Sequence, residues 1–182
     1  MKKILLVLIA LLSVAGIVFA GGNKDAASST LPTIRLITDD TSIDDKSFNA
    51  AAWRGILEFY GDTWKNQKNR GKLYDVVACQ TRDMYIPNLK QAADKGYDLI
   101  ITTGFTFAEA VGEVASLYPD QKFVIIDVDW VGKPNLAEFV YSEEQGSFLV
   151  GAAAALQAQA EGVKNPRFGF IGGVPGATIT KF

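Results

Sequence analysis

Between the largely apolar run Ile34 to Ile37 and a segment with helical periodicity lies the loop Asp39-Asp40-Thr41-Ser42-Ile43-Asp44-Asp45-Lys46-Ser47-Phe48-Asn49. It gathers carboxylates, an amide and an aromatic ring at one strand-to-helix turn. Carboxylates accept hydrogen bonds from hydroxyl and N–H groups, and a phenyl ring offers its face to another flat ring, so this chemistry suits a planar, polyhydroxylated small molecule. A second role competes within the same loop. Asp and Ser before a helix fill orphan N–H groups and suit the positive end of the helix dipole. Capping is the expected role of Asp44 and Asp45, and it is open to Ser47. Asp39 lies too far before the helix to cap it, so Asp39 and Phe48 are assigned to a ligand.

Such a loop needs a rigid edge. Apolar strands alternate with helical patterns along the chain, the signature of an α/β fold built on a parallel sheet with helices on both faces. Strands are expected at Ile34 to Thr38, Tyr74 to Cys79, Tyr97 to Thr103, Phe123 to Asp127, Leu136 to Ser142 and Arg167 to Gly172. Phe48, Ala52, Ile56, Leu57 and Tyr60 recur at three-to-four spacing, which predicts a helix from Phe48 to about Tyr60 with Trp53 in the core. Pro87 is expected to open a second helix that Gly96 ends, and a third runs from Phe107 to Leu117, before Pro119. The alanine-rich stretch Ser147 to Ala160 predicts a fourth. Ligands of open α/β sheets sit beyond the carboxyl ends of the strands. Asp39, Thr103-Gly104-Phe105 and Asp127 converge there. Gly104 would let a ligand approach the backbone, although a plain turn also explains it. Asp127 closes a buried apolar strand and needs partners, a ligand being one.

The 182 residues carry 18 Lys and Arg against 20 Asp and Glu, with no histidine. The absence of histidine excludes His-based triads and His metal sites, and no P-loop or Gly-x-Gly-x-x-Gly follows the first strand. No cofactor is implied. Met1-Lys2-Lys3 and the apolar run Ile4 to Ala20 read as a secretory signal at 1–20, with cleavage after Ala20, followed by a polar linker at 21–30. Its removal takes two lysines and no acid, shifting the net charge from −2 to −4, and nothing favours nucleic acid. The basic run Lys65, Lys68, Arg70 and Lys72 reads as a solvated loop. Cys79, the one cysteine, reads as a small buried hydrophobe.

Four collinear blocks then carry a resemblance: Thr38-Asp39 with Asp44-Asp45-Lys46-Ser47-Phe48-Asn49, Lys122-Phe-Val-Ile-Ile-Asp127, Glu144-Gln-Gly-Ser-Phe-Leu-Val-Gly151, and Gly169-Phe-Ile-Gly-Gly-Val-Pro175 with Ile179 and Phe182. Together they resemble the basic membrane protein family, receptors of nucleoside transporters similar to the type I two-lobed periplasmic binding proteins of ABC importers. The resemblance implies a purine nucleoside as ligand and a membrane permease as partner, while the expected periplasmic or cell-envelope location rests on the signal alone. It implies an N-terminal lobe at 31–143 and only the opening of a second lobe at 144–182, so a truncated cleft. It assigns Phe48 to stacking on the base, and Asp39, Asn49 and Asp127 to polar ligand contacts. Two departures stand out: no lipid-anchor cysteine follows Ala20, and Thr41 stands where the family commonly has glycine. The exposed apolar face expected of the Ser147 to Ala160 helix predicts association of the chain. Acids at strand ends also suit a metal-dependent phosphoryl-transfer or hydrolytic enzyme, and a sensory module without transport is a further alternative.

Overall fold

The computed structural model describes residues 31–182 apart from 174 and 177; the signal and linker expected at 1–30 lie outside the described residues. Five strands form one parallel sheet in the order β2-β1-β3-β4-β5: β1 Ile34–Thr38, β2 Tyr74–Ala78, β3 Leu99–Thr103, β4 Phe123–Ile126 and β5 Leu136–Phe139. Among the described residues four α-helices accompany them: α1 Phe48–Phe59, α2 Tyr85–Asp94, α3 Ala108–Leu117 and α4 Glu143–Ala160.

Side-chain alternation along β1 explains why the sheet is covered on both faces. Ile34 and Leu36 pack with Trp53, Ile56 and Leu57 of α1, while Ile37 packs with Leu89 of α2 and Val111 and Val114 of α3. Each fully buried side chain of this size contributes about 1.5–3 kcal/mol, so the two clusters are what hold the strand ends in place. Cys79 follows β2 in the second of these clusters, and burial pushes its thiol up to about 11, which keeps it inert at neutral pH.

Several boundaries differ from expectation. Helix α2 begins at Tyr85, so Pro87 is its third residue; the first turn has no intrahelical use for that missing N–H. Helix α4 begins at Glu143, four residues earlier than the alanine-rich pattern, because Glu143 and Glu144 suit the positive end of its dipole. Residues 167–172 form no strand. An extended apolar run becomes a strand only through a ladder, and no described residue pairs with this one. In the basic loop, Lys65, Lys68 and Lys72 are exposed as expected. Arg70 is exposed too, and it also lies 3.6 Å from Asp75, with its guanidinium carbon 5.3 Å from the Trp53 ring centroid.

None of the 18 residues of α4 is buried. Phe148 is 74% exposed and Val150 71%. An apolar patch of this size seeks a cover. Sedimentation velocity of the purified chain at micromolar concentration is expected to show association, which weakens when Phe148 and Val150 are both replaced by Ser; a clean monomer would refute this.

Candidate functional site

The sheet reverses its direction of growth between β1 and β3, and the loops leaving those two strands define a crevice at their carboxyl ends. Asp39 leaves β1 there, Gly104 leaves β3, and Asp127 leaves the adjacent β4. The three expected ligand positions are therefore neighbours along one edge.

Asp39 is held by a local network. Its Oδ1 accepts from the Thr41 backbone N–H at 3.2 Å, the Thr41 hydroxyl at 2.6 Å and the Asn49 amide at 2.9 Å. The Asn49 amide also donates to the Thr41 hydroxyl at 3.0 Å, and the Thr103 hydroxyl donates to Asn49 Oδ1. Asn49, expected as a ligand contact, is buried with both amide hydrogens committed. Its place ties the ends of β1, β3 and α1 together. Among the described residues Asp39 Oδ2 accepts no hydrogen bond, so one acceptor remains for a ligand.

Thr41 fits its loop because it does not take the left-handed position. Its φ is −70°, and Ser42 and Lys46, each at φ 55°, make the left-handed turns instead. The next acid divides from its neighbour. Asp45 caps α1 as expected, accepting from the N–H groups of Ser47, Asn49 and Ala50, each at 2.9 Å. Asp44 does not: it is exposed in a short 3-10 turn, Ser42–Asp44, and among the described residues its carboxylate takes no hydrogen bond. Ser47 also gives α1 no side-chain cap.

Phe48, the first residue of α1, leaves 39% of its surface exposed, and its ring lies 6.0 Å from that of Tyr141 at an interplanar angle of 13°. Gly104 has φ 90° and ψ 148°, a region essentially closed to other residues, and a Cβ built there would meet nothing within 4 Å. The backbone at this strand end thus faces open space. Gly104→Ala is expected to cost about 1–3 kcal/mol through backbone strain alone, read as a lower urea midpoint with an unchanged slope; an unchanged midpoint would contradict the geometry.

Asp127 is 3% exposed and adopts φ 74°, turning out of the strand it follows. Its N–H donates to the Phe139 carbonyl at 2.6 Å, while among the described residues its Oδ1 is buried without a partner. Burial, and next the charge of Glu143, push its carboxyl above the ordinary value of 3.8, against the opposing pull of Lys181. Thr103 stands at the edge where the sequence placed it, and its hydroxyl donates to Asn49. Sequence reasoning missed Glu143, Thr41 and Tyr141 as site residues. Thr41 carried a signal in its spacing, since Asp side chains bond two residues ahead. The other two come to the site only through strand pairing and the β5–α4 connection.

The chain has relatives. Residues 33–182 match the family model described as Bmp, the ABC transporter substrate-binding protein PnrA-like family. Basic membrane protein A of Borreliella burgdorferi is 33% identical, over 100% of this chain and 50% of its own length. The ABC transporter nucleoside-binding protein BmpA of Lactococcus lactis is 30% identical, over 96% of this chain and 48% of its own. The CD4+ T-cell-stimulating antigen of Listeria innocua is 32% identical, over 87% and 42%. This chain therefore spans about half the length of the curated relatives it matches. Among solved structures, an ABC transporter solute-binding protein from Aeropyrum pernix superposes with a TM-score of 0.57 at 27% identity, over 73% of this chain and 36% of that one. The parallel sheet, the crevice at its switch point and these matches lead to one conclusion: the chain belongs to the Bmp family of PnrA-like ABC transporter substrate-binding proteins.

Proposed function

We propose that this chain supplies the N-terminal lobe, 31–143, of an extracytoplasmic receptor for purine nucleosides, with 144–182 opening a second lobe that closes over the ligand. The receptor delivers its cargo to a membrane permease. The signal read at 1–20 would carry it across the cytoplasmic membrane.

The observation that carries the reading is the pairing of a partly exposed aromatic ring, Phe48, with two carboxylate oxygens at the same edge that accept no hydrogen bond among the described residues, Asp39 Oδ2 and the buried Asp127 Oδ1. A stacked base and its polar edge require that combination. The printed name of the Lactococcus lactis relative, nucleoside-binding, supports the choice of ligand. A receptor is preferred to the metal-dependent enzyme because the family is one of substrate-binding proteins.

Calorimetric titration of the chain with inosine, adenosine and uridine tests the reading. Saturable binding of a purine nucleoside is expected, weakened about 5- to 150-fold by Phe48→Ala, since stacking contributes about 1–3 kcal/mol per base. Absence of saturable binding by any of the three would refute it.

A further inference from the structure

Three oxygen atoms near the ligand edge are buried and, among the described residues, have no hydrogen-bond donor: Asp127 Oδ1 and both carboxylate oxygens of Glu143. Buried acceptors without donors are costly and rare, so three at one end of the sheet raise the question of what supplies the donors. The fold explains why the two side chains lie at one end of the sheet. Asp127 follows β4 and is tied to Phe139 at the end of β5, and the chain reaches Glu143 only four residues later, at the start of α4. The influence of the Glu143 charge on Asp127 agrees with their proximity.

The surroundings suit a bound molecule. Glu143 lines a cavity of about 630 Å³ shared with Ser147, Val150, Phe168, Phe170 and Phe182. That volume falls within the range of small-molecule sites, about 300–1,000 Å³. Tyr141, stacked on Phe48, stands two residues before Glu143. Lys181, whose charge also acts on Asp127, has its Nζ 4.0 Å from Asp129 and donates no hydrogen bond to Asp127 Oδ1 or Glu143. Two carboxylates are also short of a cation cage, and no group of three or more potential metal ligands exists among the described residues.

We propose that Glu143 is a ligand-binding residue which, together with Asp127, accepts hydrogen bonds from donor groups of the bound molecule. The inference rests on the nucleoside reading above and adds a specificity residue to it. Neither carboxylate, when ionised, can donate, so the pair selects molecules that present O–H or N–H groups and rejects analogues lacking them. A nucleoside offers such donors in two places, the ribose hydroxyls and the N–H edge of the base.

Inosine, 2′,3′-dideoxyinosine and 1-methylinosine separate the two sources, each titrated calorimetrically into the wild-type chain, Glu143→Ala and Glu143→Gln. Glu143→Ala is expected to weaken inosine about tenfold or more. The analogue that lacks the donor read by Glu143 binds the wild type weakly and loses nothing further on substitution, which names the source. Glu143→Gln keeps the side-chain shape and lies between, and unfolding midpoints verify that each variant is folded. The inference is overturned if both variants bind inosine within about twofold of wild type, or if all three ligands weaken alike. Failure of the wild type to bind any of them would instead overturn the nucleoside reading, and this inference with it.

Discussion

Replacing Trp53 with alanine is expected to lower the unfolding free energy by about 3–5 kcal/mol, the usual cost of deleting a large buried aromatic. Trp53 has no exposed surface; its ring meets Tyr74 edge-on at 5.2 Å and packs among Ile34, Leu36, Ile56 and Leu57. No neighbour can collapse into a void of that size, because each is itself anchored on β1, α1 or β2. Domains of this kind are stable by only about 5–15 kcal/mol, so one substitution removes a large share. The readout is a urea titration followed by far-UV circular dichroism. Trp64→Ala is the control: that side chain is 44% exposed, and its loss is expected to change stability by no more than about 0.5 kcal/mol. A Trp53→Ala loss below about 1 kcal/mol would contradict the packing. The effect also reaches the site. Helix α1 carries Asn49 in its first turn, and Asn49 holds Asp39 and Thr103 together, so a loosened α1 disturbs the crevice before the sheet unfolds.

The elements that this argument uses were legible in the sequence because their signals are local. Period-three-to-four apolar positions from Phe48 to Tyr60 mark one helix face, and the run at Phe123 to Ile126 marks a strand covered on both sides. Gly96 ends its helix as expected, with φ 73°. Capping by Asp45 was legible for the same reason, since three backbone N–H groups within five residues need an acceptor. Asp44, identical in type and adjacent, does no capping. Which of two neighbouring acids faces the helix end depends on the turn at Lys46, and residue type alone does not set it. The expected strand at 167–172 failed because pairing is a property of two segments, and the sequence of one shows only that it is apolar. Glu143 was invisible for a related reason. In the sequence it is an acid at a helix start, while its proximity to Asp127 depends on β4 and β5 lying side by side with Ile126 opposite Phe139.

That proximity makes Asp127 a residue where stability and binding pull in opposite directions. Its folded carboxyl is held above the ordinary 3.8, by burial first and by Glu143 second, with Lys181 opposing. The folded chain therefore binds this proton more tightly than the unfolded chain, and stability falls as pH rises from the ordinary value through the raised one. Asp127→Asn carries no such charge. Its unfolding midpoint is expected to gain on wild type as pH is raised from 4 through that window, and the gain then levels off. Binding responds with the other sign. Donor groups of a ligand favour the ionised carboxylate, so wild-type affinity for inosine is expected to strengthen as pH rises over the same window, while the variant stays flat. At neutral pH the variant is expected to bind about 10- to 150-fold more weakly, the loss of a charge-assisted hydrogen bond of about 1.5–3 kcal/mol. A variant that is both more stable and a poorer binder identifies Asp127 as an acid kept at the crevice for its ligand at the expense of the fold. Parallel pH profiles for the two proteins would mean that Asp127 only closes its loop, and that its buried oxygen has found its donor elsewhere.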